Sequence, residues 1–241
     1  MPRTRPQSLL LALAVAALLG TCGLTYAHRH HVRQLVANGQ WRGPSSVEDV
    51  RARYEVAVVQ RLGPELDRAG VAWPPKSMTL LAFKREQRVE LWLGNGSHER
   101  RVKTYPVLAA RGIWGPKTTR GDRQVPEGVY GLPALNPNSS FHLSIRVDYP
   151  NAEDHQVLSG DLGGDIFVHG RAVSIGCLAM GDPAIEELFV VASRVVAQRR
   201  RILIAPYDFR VHPANPPGEE RRWVLRRYGQ LRRELDRYRN L

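Results

Sequence analysis

The chain has 241 residues, of which 43% are hydrophobic, and this is enough to bury one sizeable core. Its formal net charge of +12 predicts attraction to anionic surfaces, but no nucleic-acid recognition motif accompanies that charge. Only two cysteines, Cys22 and Cys177, are present, which excludes a scaffold held by several disulfides.

The N-terminal segment, residues 1–27, has the layout of a secretory signal peptide or a membrane anchor. Two arginines precede an apolar run over residues 9–19, and Thr25-Tyr26-Ala27 offers small residues at the places expected for cleavage after Ala27. Without cleavage, residues 9–27 are barely long enough to span a bilayer. Both outcomes stay open, and lipidation of Cys22 is a weaker alternative. In each case we expect export, with Cys177 as the single cysteine of the soluble part and therefore a candidate reactive thiol.

Residues 28–77 are predicted to form a linker and then a helical segment. Ser46 can cap a helix whose apolar residues recur at three- and four-residue steps as far as Leu62, and this helix is expected to end before Gly63-Pro64. Residues 78–83 and 88–93 then predict a β-hairpin, and residues 100–109 a third strand.

A basic, glycine-rich loop over residues 115–128 runs into a predicted strand at Val129. Lys117, Arg120 and Arg123 could meet a substrate carboxylate there, although an ordinary solvated loop has the same composition. Residues 141–147 alternate like a half-buried strand.

Residues 165–180 bring a histidine, a serine and a cysteine into one short stretch. Residues 165–168 predict a buried strand that delivers His169, and Gly170 lets the chain turn away. A thiol with its usual pKa of about 8.5 needs a nearby base to be a nucleophile at neutral pH, and His169 can supply that base for Cys177. Gly176 would let backbone N–H groups form an oxyanion hole. Taken alone, the pair also fits a structural cysteine near a buried histidine.

The C-terminal part is predicted to contain two helices and a strand. Asp182 is expected to cap the first helix, with Pro183 at its first position, and residues 202–205 predict a last buried strand. After a linker over residues 213–218, a basic helix carries a narrow apolar stripe, so it either docks on the domain or lies against an anionic surface such as a membrane.

Two motifs resemble those of the L,D-transpeptidase (YkuD-type) family of peptidoglycan enzymes. His169-Gly170 followed by Ser174-Ile175-Gly176-Cys177 resembles the family's active-site motif. The Gly-Asp-x-x-x-Pro-Glu-Gly-x-Tyr pattern of residues 121–130 is similar to a segment of the YafK-like branch. The resemblance covers roughly residues 78–206.

The resemblance implies a fold and a reaction. The expected fold is α+β, mostly β with flanking helices, with a β-sandwich catalytic domain at residues 78–206 and a linker and basic helix at residues 207–241. In the implied reaction His169 takes the proton of Cys177, and the thiolate attacks the carbonyl at the L-centre of a diamino acid to give a thioester. No metal or organic cofactor is implied.

The resemblance also implies roles for residues around this pair. Three residues are expected to support the oxyanion or the His169–Cys177 pair: Gly170, Ser174 and Gly176. Six residues are expected to contact the substrate: Arg123, Pro126, Glu127, Gly128, Tyr149 and Arg171.

Two departures from the family leave the outcome of the reaction open. Many members have a histidine before the Gly-Cys pair and an arginine two residues after the cysteine, and here these residues are Ile175 and Ala179. Cross-linking or remodelling of peptidoglycan stem peptides in the periplasm or cell envelope is the main hypothesis. A murein hydrolase that releases a peptide or wall-linked lipoprotein is the alternative, and a non-catalytic wall-binding module or a general cysteine peptidase are further rivals.

Overall fold

The computed structural model describes residues 45–96, 98–110, 115–214 and 218–239. The predicted signal or anchor segment, residues 1–27, lies outside these described residues, as does most of the linker after it. Among the described helices, none has both the length and the apolar character needed to cross a membrane.

The described residues form helices and mostly short strands. In chain order they are α1 (Val47–Ala69), β1 (Ser77–Phe83), β2 (Arg88–Gly94), β3 (Arg100–Pro106), β4 (Gly128–Gly131), β5 (Leu135–Asn136), β6 (Ser144–Arg146), α2 (Ala152–Val157), β7 (Phe167–His169), β8 (Leu178–Ala179), α3 (Asp182–Arg194), a 3-10 turn (Ala197–Arg199), β9 (Arg200–Ala205), α4 (Arg222–Leu235) and a second 3-10 turn (Asp236–Tyr238).

Helix α1 begins where the sequence predicts and ends later. Ser46 caps it through a side-chain hydrogen bond, but the predicted end before Gly63-Pro64 is wrong. The helix continues to Ala69 and ends at Gly70, which adopts the left-handed conformation with φ of 66°. A proline inside a helix costs about 3 kcal/mol, and burial of the following turn at Leu66 helps to offset this cost.

Sheet A has five strands in the order β3-β2-β1-β9-β4. The predicted hairpin is confirmed, because β1 and β2 pair in antiparallel fashion from Ser77 opposite Gly94 to Phe83 opposite Arg88. The third strand ends at Pro106 rather than at residue 109. Strand β9 runs parallel to β1 and antiparallel to β4, so the sheet is mixed.

Sheet B has four short strands in the order β5-β6-β7-β8. Its last pair, β7 and β8, is parallel. The strand predicted over residues 141–147 is reduced to Ser144–Arg146, because His142 adopts a left-handed φ of 72° that breaks the extended chain. Two mixed sheets with helices against them confirm the predicted α+β class.

The two faces of sheet A are covered by different elements. One face belongs to the main core, which also contains buried residues of α1, α3 and sheet B. The other face packs against α4 through a second apolar cluster. The predicted stripe of the C-terminal helix is buried in this second cluster and consists of Val224, Tyr228, Leu231, Leu235 and Tyr238. The helix therefore docks on the domain.

Candidate active site

The pairing of β7 with β8 brings the two predicted residues into adjacent segments of the chain. His169 is the last residue of β7, and Cys177 immediately precedes β8. The parallel register sets His169 opposite Ala179, so Cys177 lies about 7 Å further back along the strand direction. Among the described residues no hydrogen bond joins the imidazole of His169 to the thiol of Cys177. Such bonds are often long before substrate binds, so this geometry keeps His169 as the candidate base.

The His169 ring is held in one orientation. Its Nδ1 donates a hydrogen bond to the carbonyl oxygen of Gly170 at 2.7 Å, which leaves Nε2 as the nitrogen that can accept a proton. The Phe141 ring lies over the imidazole with 4.6 Å between centroids. Burial lowers the pKa of His169, and the bond to Gly170 opposes that change only in part. The imidazole is therefore neutral at pH 7, as a general base must be.

The turn after His169 admits only glycine at its first position. A Cβ on Gly170 would lie 2.7 Å from both Asp182 Oδ1 and the Phe141 carbonyl oxygen. Asp182 Oδ1 accepts the Arg171 backbone N–H at 2.7 Å. The predicted cap of α3 is thus wrong, because Gly181 occupies the N-cap position and the Asp182 side chain holds the histidine turn instead. Arg171 itself is exposed, where a substrate could reach it.

Ser174 closes the cysteine loop on itself. Its Oγ donates to the Cys177 carbonyl oxygen at 2.7 Å and accepts the Cys177 backbone N–H at 2.9 Å. In this structure Ser174 therefore contacts the Cys177 backbone, and its expected support of the pair would act through the cysteine loop. The Cys177 N–H is one of the backbone groups beside Gly176, and to hold an oxyanion it would have to exchange its bond to Ser174 for one to the substrate. Gly176 allows this tight loop because it adopts a φ of 95°.

The Cys177 thiol is half-buried and mostly protonated at neutral pH. Burial is the main cause that raises its pKa, and the charge of Asp165 adds to it. The Phe167 backbone N–H and the Lys117 ammonium act in the opposite direction. The thiol also contacts the Asp165 carbonyl oxygen at 3.6 Å. For this thiol to act as a nucleophile at neutral pH, a base would have to remove its proton.

The basic loop over residues 115–128 lies next to this cysteine loop. The backbone of Arg123 and Gln124 packs against Gly176, where an added Cβ would lie 3.3 Å from the Gln124 carbonyl oxygen. Arg123 is exposed, which agrees with its predicted contact to substrate. Lys117 is buried, and its Nζ donates to Asp122 Oδ1 at 2.7 Å, so it braces the loop rather than offering an open charge.

Four residues predicted to contact substrate are buried in this structure. Glu127 is fully buried, with Oε1 accepting from Lys84 Nζ at 2.8 Å and Oε2 from the Tyr228 hydroxyl at 2.5 Å. Pro126 and Gly128 are buried on either side of it. Tyr149 donates from its hydroxyl to the Lys117 carbonyl oxygen at 3.3 Å. These four residues pack under the exposed part of the loop over residues 115–128. For Glu127 or Tyr149 to contact substrate directly, its present hydrogen bonds would have to break.

Exposed apolar side chains form the rim of the cysteine loop. Val173 and Ile175 are 61% and 72% exposed, respectively. Ala179 is fully buried, with its backbone bridged to Ala109. Of the two departures from the family, Ile175 is thus exposed next to the thiol, whereas Ala179 contributes no surface there.

Sequence patterns did not predict the roles of two aspartates that organise the site. Asp122 accepts backbone N–H groups of Thr118 and Gln124 in addition to the Lys117 ammonium, and Asp182 holds the Arg171 N–H. An aspartate that follows a glycine in a loop is a known turn signal and could have indicated Asp122. Within the described residues, no group of three or more His, Cys, Asp or Glu side chains could hold a metal ion.

Comparison with known proteins gives one family. Residues 77–202 match the model of the L,D-transpeptidase catalytic domain, YkuD. The chain is 33% identical over 136 residues to "Putative L,D-transpeptidase YafK" of Escherichia coli strain K12, covering 55% of this chain and 54% of that protein. It therefore spans about half the length of the curated relatives that it matches.

Solved structures with similar folds have low scores. The helical cell shape determining protein Pgp2 from Campylobacter jejuni matches with a TM-score of 0.45 and 20% identity, over 60% of this chain and 55% of that one. Bd1075 of Bdellovibrio bacteriovorus matches with a TM-score of 0.40 and 20% identity, over 68% and 58% of the two chains. The assignment to a family rests on the match to the family model.

Proposed function

Because this chain belongs to the L,D-transpeptidase catalytic domain family, we propose that it is a cysteine acyltransferase acting on peptidoglycan stem peptides. Cys177 is the nucleophile, His169 is the base, and the scissile carbonyl is the one at the L-centre of a diamino acid. The observation that carries this proposal is that His169 ends β7 and Cys177 immediately precedes β8, its parallel partner strand, inside the matched region.

The first half of the reaction forms a thioester. Nε2 of His169 takes the proton of the Cys177 thiol, and the sulfur attacks the carbonyl carbon of the substrate. When the tetrahedral intermediate collapses, the bond from carbon to the leaving amine breaks and the imidazolium returns its proton to that amine. These steps start from a neutral histidine and a protonated thiol, the states that the pKa directions of His169 and Cys177 favour in the free enzyme.

The second half transfers the acyl group to an amine or to water. A transpeptidase must shelter its thioester until the amine arrives. Here the exposed loop over residues 171–173 and the exposed Ile175 offer little cover on their side of the thiol. We therefore propose hydrolysis or exchange at a diamino-acid linkage at least as readily as the formation of new cross-links. Release of a peptide or lipoprotein attached to that diamino acid is the corresponding activity.

The proposed reaction and the N-terminal segment together suggest where the protein works and what it binds. We propose that the protein works in the periplasm or cell envelope, with stem peptides as its substrates. The signal-like segment at residues 1–27 supports export, and it could also serve as an inner-membrane anchor.

The test separates the three outcomes. Purified protein is incubated with tetrapeptide muropeptides and, separately, with muropeptides that carry a linked peptide, and the products are resolved by mass spectrometry. Released monomers from the linked substrate support hydrolysis or exchange, and abundant dimers without release support cross-linking. Binding without turnover by the wild-type protein would instead indicate a wall-binding module. Cys177→Ser is the matched control for chemistry.

A further inference from the structure

A deep recess lies at one end of sheet A, away from the cysteine. Its volume is about 1160 Å³, and its walls come from the end of α1, the turn between β2 and β3, the start of β9 and the turn after α4. Six arginines and only two acidic residues, Asp67 and Glu99, line it. The arginines are Arg68, Arg100, Arg101, Arg201, Arg237 and Arg239.

Strand β3 separates the recess from the cysteine loop. Strand β3 begins at Arg100 in the recess and ends at Pro106. Beyond it, the Leu108 N–H donates to the Ala179 carbonyl oxygen, two residues from the cysteine. A strand of this length spans about 20 Å, so a ligand in the recess does not touch Cys177.

Several arginines of the recess have only loose partners. Arg68 and Arg237 are 73% and 67% exposed, and they pair with Glu65 at 3.4 Å and Glu234 at 3.1 Å. Arg100 is exposed and has no acidic partner among the described residues. Exposed ion pairs of this kind contribute little free energy and exchange readily for a better partner.

We propose that this recess, the arginine recess, binds a flexible strand that carries closely spaced phosphate groups. Arginine presents a planar fork of N–H donors that matches phosphate oxygens in a bidentate geometry. An incoming ligand must displace the carboxylates that now pair with these arginines, and each carboxylate carries a single negative charge. Phosphate groups have a higher charge density, and several of them in one strand can bind several arginines at once. Such a strand therefore competes for the arginines better than isolated carboxylates do.

The concave shape favours a strand over a flat membrane surface. Arg201 reaches the recess from β9 in the sheet, where it donates to the Tyr238 hydroxyl at 2.5 Å, and Trp92 forms part of the wall. A planar bilayer would contact the rim arginines but could not fill the space between them. A chain of phosphates could reach both the rim and the floor.

The test uses the full chain and short-chain inorganic polyphosphate. The recess variant combines Arg68→Gln, Arg100→Gln and Arg237→Gln, three substitutions on three different elements. The matched control combines Arg53→Gln, Arg146→Gln and Arg222→Gln, which remove the same charge from exposed positions outside the recess. Binding is measured by calorimetry at several salt concentrations, with inorganic phosphate and with vesicles of equal parts phosphatidylglycerol and phosphatidylcholine as further probes.

The proposal predicts a selective loss. Polyphosphate should bind the wild type and the control, and the recess variant should lose at least tenfold in affinity. The slope of log affinity against log salt should fall by about three in the recess variant, one for each lost phosphate contact. Equal losses in both variants would overturn the proposal, since they would indicate non-specific attraction to net charge. Vesicle binding without polyphosphate binding would also overturn it, in favour of a membrane surface.

Discussion

Tyr228 of the C-terminal helix donates a hydrogen bond of 2.5 Å to Oε2 of Glu127, a carboxylate beneath the loop that packs on Gly176. The neighbouring Arg227 donates to the Glu127 carbonyl oxygen at 3.2 Å and pairs with Asp154 at 2.8 Å. Helix α4 lies beyond the region matched by the family model, which ends at residue 202. A segment outside that region thus helps to hold the loop beside the candidate nucleophile.

Tyr228→Phe should destabilise the fold by about 1–3 kcal/mol, because it leaves a buried carboxylate oxygen without one of its donors. The free energy of unfolding from urea titration measures this change. Tyr54→Phe is the control, since the Tyr54 hydroxyl makes no hydrogen bond among the described residues and should change stability by less than about 0.5 kcal/mol. Equal stability of Tyr228→Phe and the wild type would contradict a supporting role for this bond.

Gly170→Ala should damage the histidine turn. The added methyl would lie 2.7 Å from two oxygens, one of them in the backbone, so the turn must shift and carry His169 with it. We expect a loss of stability of about 1–3 kcal/mol, as for other overpacked sites, together with a loss of turnover. Gly229→Ala is the matched control, because beyond its own helix backbone and chain neighbours the new methyl would meet only the flexible end of the Arg233 side chain, at 3.7 Å. That change inside α4 should stabilise the protein by roughly 0.5–1 kcal/mol. Similar effects of the two substitutions on thermal unfolding and turnover would contradict the account.

The pH dependence of turnover should reflect both pKa shifts. A lowered His169 pKa means that the neutral base persists as pH falls below the usual histidine value of about 6.5, so the acidic limb of kcat/KM should lie below it. A raised Cys177 pKa means that less thiolate exists at pH 7 than in free cysteine, so alkylation by iodoacetamide should be slower and should increase into the alkaline range. Alkylation faster than that of free cysteine at pH 7 would instead indicate a preformed thiolate.

His169→Ala should lower turnover by about 10²–10⁴-fold, the usual contribution of a positioned base. Circular dichroism should show an intact fold. His155→Ala is the control, since this residue is exposed on α2 and should leave turnover unchanged. Unchanged turnover of His169→Ala would remove this residue from the mechanism and move attention to His142, which pairs with Glu186 at 3.0 Å.

Sequence patterns were sufficient where the deciding interactions are local. The β1–β2 hairpin, the Ser46 cap and the apolar stripe of α4 follow from spacing along the chain, and the structure confirms them. The His-Gly and Gly-Cys motif likewise lies in the short connection between β7 and β8, two strands that pair directly.

Patterns failed where distant contacts decide the outcome. Helix α1 passes through Pro64 because packing of Leu66 in the core helps to offset the local cost. The link from Tyr228 to Glu127 joins residues that are 101 positions apart, and no periodicity encodes such a partner. For the same reason Glu127 was predicted to contact substrate, although it is fully buried.

Covalent labelling by a carbapenem tests the central claim about Cys177 most directly. Family resemblance implies that the thiolate opens the β-lactam ring, so the intact mass of the wild-type protein should increase by one inhibitor molecule. Cys177→Ser should show no adduct, because a serine hydroxyl beside the same base is far less ionised. Equal labelling of the two proteins would contradict the assignment of Cys177 as the nucleophile.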